Sequence, residues 1–358
     1  MRRLAWLSLL LMFACAYSAQ QQAAPAAEAK AAGAALSTND PGYIAEDPIL
    51  AKLVGTPAPA LTLKSIDGKP INLSDLYGKR PVYLKLWATY CIPCRVQMPG
   101  LKAIYAAHGN AMTIIAVNAG VGDDIGKVKQ FVQDFGLSMP VSIDDGRLGD
   151  WVGMHATPVH LVIGRDGRVI FAGHQDGPML DAAIQQALAS KASPAGAATT
   201  RLADLVTLKT GDAVPPIALQ SSDGTGITLP HGPGAHPRAI YFSATWCESY
   251  MKSTQPGEAE TCKNGREQID RLASDPRIEW FGVMSQMWTT PKALANYETR
   301  MKPGFPLALD TSGAAFRTFG VKRFPAVALV DTRGRLIKLV EGDPAEFAAA
   351  ILSVQASK

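Results

Sequence analysis

Cys91 and Cys94, two residues apart in "WATYCIPCRVQMPG" (87–100), are the side chains best placed to do chemistry. They follow an apolar run and open a helical pattern. A helix N-terminus presents unpaired N–H groups and a partial positive charge. A thiolate held there is stabilised, so its pKa falls and it attacks disulfides at neutral pH. Cys91 is nearer that end and is the expected nucleophile. Cys94, one turn on, is placed to resolve the mixed disulfide by attacking Cys91. Pro93 stiffens the first turn and removes an N–H that would be unpaired anyway. A zinc site would need a second ligand pair, and no neighbouring His or Cys cluster supplies one. A peroxidase would need Pro and then Thr or Ser at set positions before its cysteine, which are missing.

A second run, "FSATWCESYMKSTQPG" (242–257), begins in the same way, but Tyr250 stands where the second cysteine would be. Cys262 follows later. A Cys247–Cys262 bridge that staples this region is the favoured expectation. An unusual redox pair or two free thiols are the alternatives. Trp246, Tyr250 and Phe324 either line an apolar surface for a partner or belong to the core.

The two runs belong to an internal repeat. Gly55 matches Gly211, Pro59 matches Pro215, Asp67-Gly68 matches Asp223-Gly224 and Cys91 matches Cys247, all at an offset of 156. Pro158 matches Pro325 at an offset of 167, so the second copy holds 11 extra residues before that proline, expected around Cys262. The resulting division is 1–19 as a signal peptide or anchor, 20–45 as an Ala-rich tether and 46–190 as the domain carrying C-x-x-C. A linker, 191–203, leads to the second copy, 204–358.

The chain has 358 residues, 47% hydrophobic and 18% charged, enough apolar material for two cores. A net charge of +4, with no basic–aromatic runs, argues against nucleic acid as a partner. Arg2-Arg3 followed by apolar Leu4 to Ala14 reads as an export signal. Cleavage after Ala16, retention as an anchor and lipidation at Cys15 stay open, the last with a poorly fitting lipobox. Export, to the periplasm or tethered to a membrane, puts the remaining four cysteines where disulfides persist.

The elements that must position the cysteines are legible in each copy. "VYLKLWA" (82–88) and "MTIIAVNA" (112–119) are buried strands. Helices are expected from Pro93 to about His108 and over 125–136. "VHLVIGRDGRVIFAG" is a strand, an Asp-Gly turn and a returning strand. A closing helix follows at "MLDAAIQQALAS". Strands alternating with helices and ending in a hairpin give an α/β fold with a mixed central sheet flanked by helices.

"LKLWATYCIPCRVQMP" and "HATPVHLVIGRDGRVI" resemble the thioredoxin superfamily, and within it the exported TlpA/ResA-type thiol–disulfide oxidoreductases. The resemblance covers roughly 50–188 and, with a degraded motif, 206–357. It implies two tandem thioredoxin-like domains with Cys91 and Cys94 as the redox pair. It also implies a cis Thr157-Pro158 peptide facing the sulfurs, Trp87 packed beside them and a helix kink at Pro99; Tyr90 is an accessory residue by position. Lys85 stands where thioredoxins place an acid. Its ammonium is expected either near the thiols, favouring thiolate, or turned to solvent. Gln97 replaces a glutamate common in ResA-type members. His155 either lies near the cysteines or is a surface residue.

The implied function is reduction of client proteins with cysteine pairs, of the apocytochrome c or copper-site assembly type. An upstream membrane thiol–disulfide donor would re-reduce the pair, and the second domain would serve docking. No organic cofactor or metal is implied. The alternatives are a disulfide oxidase or isomerase on the same fold, and a redox-gated adaptor or copper chaperone using Cys91 and Cys94 as soft ligands.

Overall fold

The structure is a computed structural model, and it describes residues 47–193, 197, 199–202 and 206–355. The expectations for the signal (1–19) and the tether (20–45) fall outside these residues.

The first copy begins with a short helix, α1 (Pro48–Ala51), capped by Asp47. Strands β1 (Ala58–Ala60), β2 (Thr62–Ser65) and β3 (Pro70–Asn72) follow. Then come β4 (Val82–Trp87), α2 (Ile92–His108), β5 (Thr113–Asn118) and α3 (Ile125–Phe135). The domain closes with β6 (Val141–Ile143), α4 (Arg147–Val152), β7 (Val159–Ile163), β8 (Val169–Gly173) and α5 (Pro178–Ala189). All six residues of β4 are buried. It lies inside a seven-stranded mixed sheet ordered β3-β2-β6-β5-β4-β7-β8, parallel to β5 and antiparallel to β7. A strand covered on both faces reads as a near-continuous apolar run, which is why 82–87 is recognisable without alternation.

The connecting stretch 191–203 is more than a spacer. Within it β9 (Thr199–Arg201) pairs in parallel with β1, and Thr200 Oγ1 donates to Pro57 O at 3.2 Å.

The second copy repeats the architecture with β10 (Ala218–Gln220), β11 (Gly226–Thr228), β12 (Arg238–Ser243), β13 (Glu279–Ser285), β14 (Leu307–Asp310), β15 (Ala326–Val330) and β16 (Leu336–Glu341). Its sheet order, β11-β10-β14-β13-β12-β15-β16, is that of the first copy strand for strand. The extra residues interrupt the motif helix. In place of one 17-residue helix there is a single turn, α6 (Cys247–Tyr250), a 3-10 turn (Met251–Ser253) and then α7 (Pro256–Leu272). Helices α8 (Pro291–Met301), α9 (Ala314–Phe319) and α10 (Pro344–Gln355) complete the fold.

One buried aspartate survives in each copy. Asp144 accepts from the N–H groups of Leu148 and Gly149 at 3.1 and 2.7 Å, at the start of α4. Asp310 accepts from Phe316 N–H at 3.0 Å in α9. Burial pushes both carboxyls up to about 6 against these hydrogen bonds. Among the described residues, no helix is long and apolar enough to cross a membrane.

Candidate functional site

Cys91 is the N-cap of α2 and is disulfide-bonded to Cys94 in the first turn. Cys94 N–H donates to Cys91 Sγ at 3.1 Å, so the helix N-terminus is aimed at that sulfur. Pro93 sits in the first turn. Across from the pair, Thr157-Pro158 is cis, as expected, and Thr157 O lies 3.5 Å from Cys91 Sγ. Trp87, fully buried, lies with its ring 4.5 Å from that of Phe131 in α3. The loop ahead of Cys91 is pinned by buried Asp123. Its carboxylate accepts from Thr89 N–H at 2.8 Å, from Thr89 Oγ1 and from Asn118 Nδ2 at 2.7 Å. Burial raises its pKa against these bonds.

Comparison with known proteins bears on this arrangement directly. The AhpC/TSA family model matches residues 54–172. ResA thiol-disulfide oxidoreductases are similar over the same share of the chain. That of Bacillus thuringiensis is 37% identical over 120 residues, covering 33% of this chain and 67% of the relative. That of Bacillus cereus is 32% identical over 137 residues, 37% of this chain and 78% of the relative. In the Bacillus subtilis protein the figures are 34% over 118 residues, 32% and 64%. The chain belongs to the ResA-type thiol–disulfide oxidoreductases of the thioredoxin-like family. The second copy shares the thioredoxin-like strand order of the first.

This ResA-type domain departs from its family beneath the motif. Lys85 is 1% exposed, which removes the reading that its ammonium turns to solvent. Its Nζ donates to Gln97 Oε1 at 2.6 Å. The same oxygen accepts from His160 Nε2 at 2.9 Å, while His160 Nδ1 accepts from Tyr83 Oη at 2.7 Å. Gln97 Nε2 donates to His174 O at 3.1 Å. Gln97 therefore has a basic partner, one helical turn beyond Cys94 on the same face. Burial lowers the Lys85 pKa to about 7, partly offset by Asp176. Burial, then the Lys85 charge, holds His160 well below its ordinary value, in keeping with a neutral ring that donates from Nε2. A lone Lys in an apolar strand was a legible signal. Tyr83, His160 and Asp123 carried none, because Tyr83 and His160 meet across the sheet and Asp123 reaches back 34 residues to Thr89.

His155, in the loop before cis-Pro158, is partly exposed and pairs with the cap of α1. Its Nε2 lies 3.5 Å from Asp47 Oδ2, and its Nδ1 lies 3.1 Å from Gly153 O.

The second copy lies across the motif. Tyr90 and Trp246, equivalent residues directly before Cys91 and Cys247, contact each other at 5.2 Å between ring centroids. Trp288 adds an edge contact to Tyr90 at 5.7 Å. Tyr90 Oη donates to Val121 O at 2.6 Å, and in the second copy Trp246 Nε1 donates to the matching Met287 O. The two motif faces meet as approximate mirror roles of one repeat. Gly122, with φ +72°, lets the chain pass where a side chain would meet Tyr90 and Phe324.

Polar contacts complete the closure. Ile92 N–H, beside Cys91, donates to Tyr250 Oη at 3.0 Å. Trp288 N–H donates to His155 O at 2.7 Å and Gln286 Nε2 to Met154 O at 2.8 Å. Thr254 Oγ1 donates to Tyr90 O at 3.2 Å, and Gln255 Nε2 to Thr89 Oγ1. Lys127 pairs with Glu258 at 2.7 Å and Arg317 with Asp150 at 2.6 Å. With both copies present, Cys91 and Cys94 have no exposed surface.

In the second copy Cys247 and Cys262 are disulfide-bonded, Cys262 lying inside α7. Cys247 Sγ is 3.8 Å from Met251 Sδ. A bidentate Arg266–Glu248 pair, at 2.7 and 3.2 Å, ties α7 to α6. Phe324-Pro325 is cis. Trp246, Tyr250 and Phe324 pack with Tyr90, Trp288 and Gly122, so the apolar surface anticipated for a partner is met by the chain's own first copy.

Proposed function

We propose that this thiol–disulfide oxidoreductase works as a reductase of exported client proteins, with the second copy acting as an intramolecular placeholder for the client. Reduced Cys91 attacks a client disulfide, forms a mixed disulfide and releases one client thiolate. Cys94 then attacks Cys91 Sγ, releases the second client thiolate and closes the Cys91–Cys94 bond. The client gains two electrons and two protons, and an upstream membrane dithiol donor restores the pair. Clients of the apocytochrome c or copper-site type, and a periplasmic location, follow from the family resemblance.

The observation that carries the reductive direction is the surroundings of Cys91 Sγ. One backbone N–H points at it, while Thr157 O faces it in a site without solvent exposure. The N–H at the helix end stabilises a thiolate, and the carbonyl and the dry site limit that stabilisation. A reduced form that is not strongly stabilised makes the disulfide harder to reduce and the dithiol a better reductant. The docking role of the second copy is supported by its contacts. They occupy Ile92 N–H and the loop before cis-Pro158, which are backbone groups that an extended client segment would use.

A redox titration with alkylation and mass mapping of each cysteine tests the direction. A potential near about −270 mV for Cys91–Cys94 fits a reductase, and one near about −120 mV would make the protein a disulfide donor.

A further inference from the structure

We propose that Asp47, His155 and His174 form a binding site for one divalent ion of the zinc or copper(II) class. The three lie 108 and 19 residues apart in sequence, so no spacing motif announces them. Folding brings them together from three elements: the cap of α1, the loop before cis-Pro158 and the end of β8. One oxygen or nitrogen from each lies within 4.8 Å of the others.

The ring orientations favour ligation over a chance cluster. His174 Nδ1 is 2.6 Å from Pro158 O, and His155 Nδ1 is 3.1 Å from Gly153 O. A carbonyl can only accept, so each Nδ1 carries the hydrogen. Both Nε2 atoms are turned to the same Asp47 oxygen, which also only accepts, so with no ion bound a hydrogen on His174 Nε2 bridges the 3.0 Å contact, and a metal ion would displace that hydrogen. A ring nitrogen tied to a backbone carbonyl is the outer-shell arrangement that fixes metal-binding histidines. Asp47 divides its two oxygens in the same way. Oδ1 accepts from the N–H groups of Ile49 and Leu50, and Oδ2 faces the two rings.

The spacing suits a small tetrahedral ion. With metal–ligand bonds near 2.0–2.1 Å, adjacent ligand atoms sit about 3.4 Å apart. Here Asp47 Oδ2 is 3.0 Å from His174 Nε2 and 3.5 Å from His155 Nε2. Two imidazoles and a carboxylate suit zinc or copper(II), whereas calcium and magnesium take oxygen and copper(I) takes sulfur. Three protein ligands leave one coordination position open. Entry is available as well: the His155 side chain is 33% exposed, and Asp47 and His174 line a surface groove of about 940 Å³.

Such an ion would join α1 to the cis-proline loop. Pro158 O is held by His174, and His155 O accepts from Trp288 of the second copy. Occupancy would therefore stiffen the loop that faces Cys91 and against which the second copy closes. Without an ion the same groups form a carboxylate between two imidazoles, which is the competing reading.

The test is calorimetric titration of Zn²⁺ into the untagged, oxidised chain with Cys15 blocked by alkylation, so that, with the other four cysteines bonded, no thiolate is offered. The expected result is one ion per chain, with affinity falling tenfold or more in His155→Ala and in Asp47→Asn, which keeps a capping oxygen. Co²⁺ added to the wild type should give the intense visible bands of a tetrahedral site, a readout that needs no variant. Absence of both Zn²⁺ uptake and the Co²⁺ bands in the wild type overturns the proposal and leaves an ion-paired triad. Undiminished uptake by the two folded variants overturns it equally.

Discussion

The two motif regions share a strand order, a cis-proline and a cysteine after the central strand, yet only one presents a redox pair at a helix start. The substitution of a cysteine by Tyr250 is the smaller part of the difference. In the first copy a continuous helix begins at Ile92 and turns a backbone N–H onto Cys91 Sγ. In the second the helix breaks after one turn and restarts at Pro256, and Cys247 is bonded into that second segment through Cys262. The central strand changes too, with Tyr241 standing where the first copy has Lys85. What the second copy lost is the oriented helix end that makes a thiolate reactive, and what it kept is the face around it. Tyr250 now spends its hydroxyl on Ile92 N–H of the other motif.

The largest expected effect breaks the comparison on the active side. Cys91→Ser should lower disulfide reduction by on the order of a thousandfold or more, and Cys94→Ser should stop at a mixed disulfide visible by mass. Adding Tyr250→Cys to the Cys91→Ser background should not restore turnover. Appreciable recovery would mean that the missing cysteine, and not the broken helix, disabled the second copy. Next, Cys247→Ser should cost about 3 kcal/mol in a denaturant melt, the loop-closure value for about 15 residues. An unchanged midpoint would deny the bridge its stapling role.

Lys85→Met tests the buried base. The folded pKa of Lys85 lies near 7, below its unfolded value. From there up to about 10.4 the unfolded chain binds the extra proton, so wild-type stability should rise with pH across that window. Below it the burial cost of the charge is paid in full. The variant should therefore melt several degrees above wild type at pH 6, with the gap narrowing steadily as pH rises toward about 10. A gap independent of pH would place the ammonium in water. The smallest effects concern closure. Tyr250→Phe removes one hydrogen bond, about 1 kcal/mol, and should speed alkylation of reduced Cys91 roughly fivefold. Glu258→Lys breaks the pair with Lys127 and should speed it about threefold, an effect that fades in high salt.

Much of this was legible before folding. The C-x-x-C after a buried strand and the internal repeat are patterns of sequence and survive there, while the cis peptide at Pro158 came only with the family resemblance. The strands 82–87 and 113–118 stood out because both their faces are covered. Contacts between distant segments were not legible. Lys85 could be seen to be odd, but its partner Gln97 lies on a helix face whose packing the pattern does not reveal. Trp246, Tyr250 and Phe324 read either as a surface for a partner or as core, and periodicity cannot say that they pack into a core shared with the preceding domain. Asp47, His155 and His174 are invisible for the same reason.

The most direct measurement of the central claim is hydrogen exchange on the oxidised chain and on a Cys94→Ser variant carrying a client peptide trapped on Cys91. The amides of Ile92 and Trp288 bond across the closure. The account predicts that both are protected in the free chain and lose protection when the client is trapped, while the strands of both sheets are unchanged. Equal protection in the two states would contradict it, because the client would then reach Cys91 without displacing the second copy.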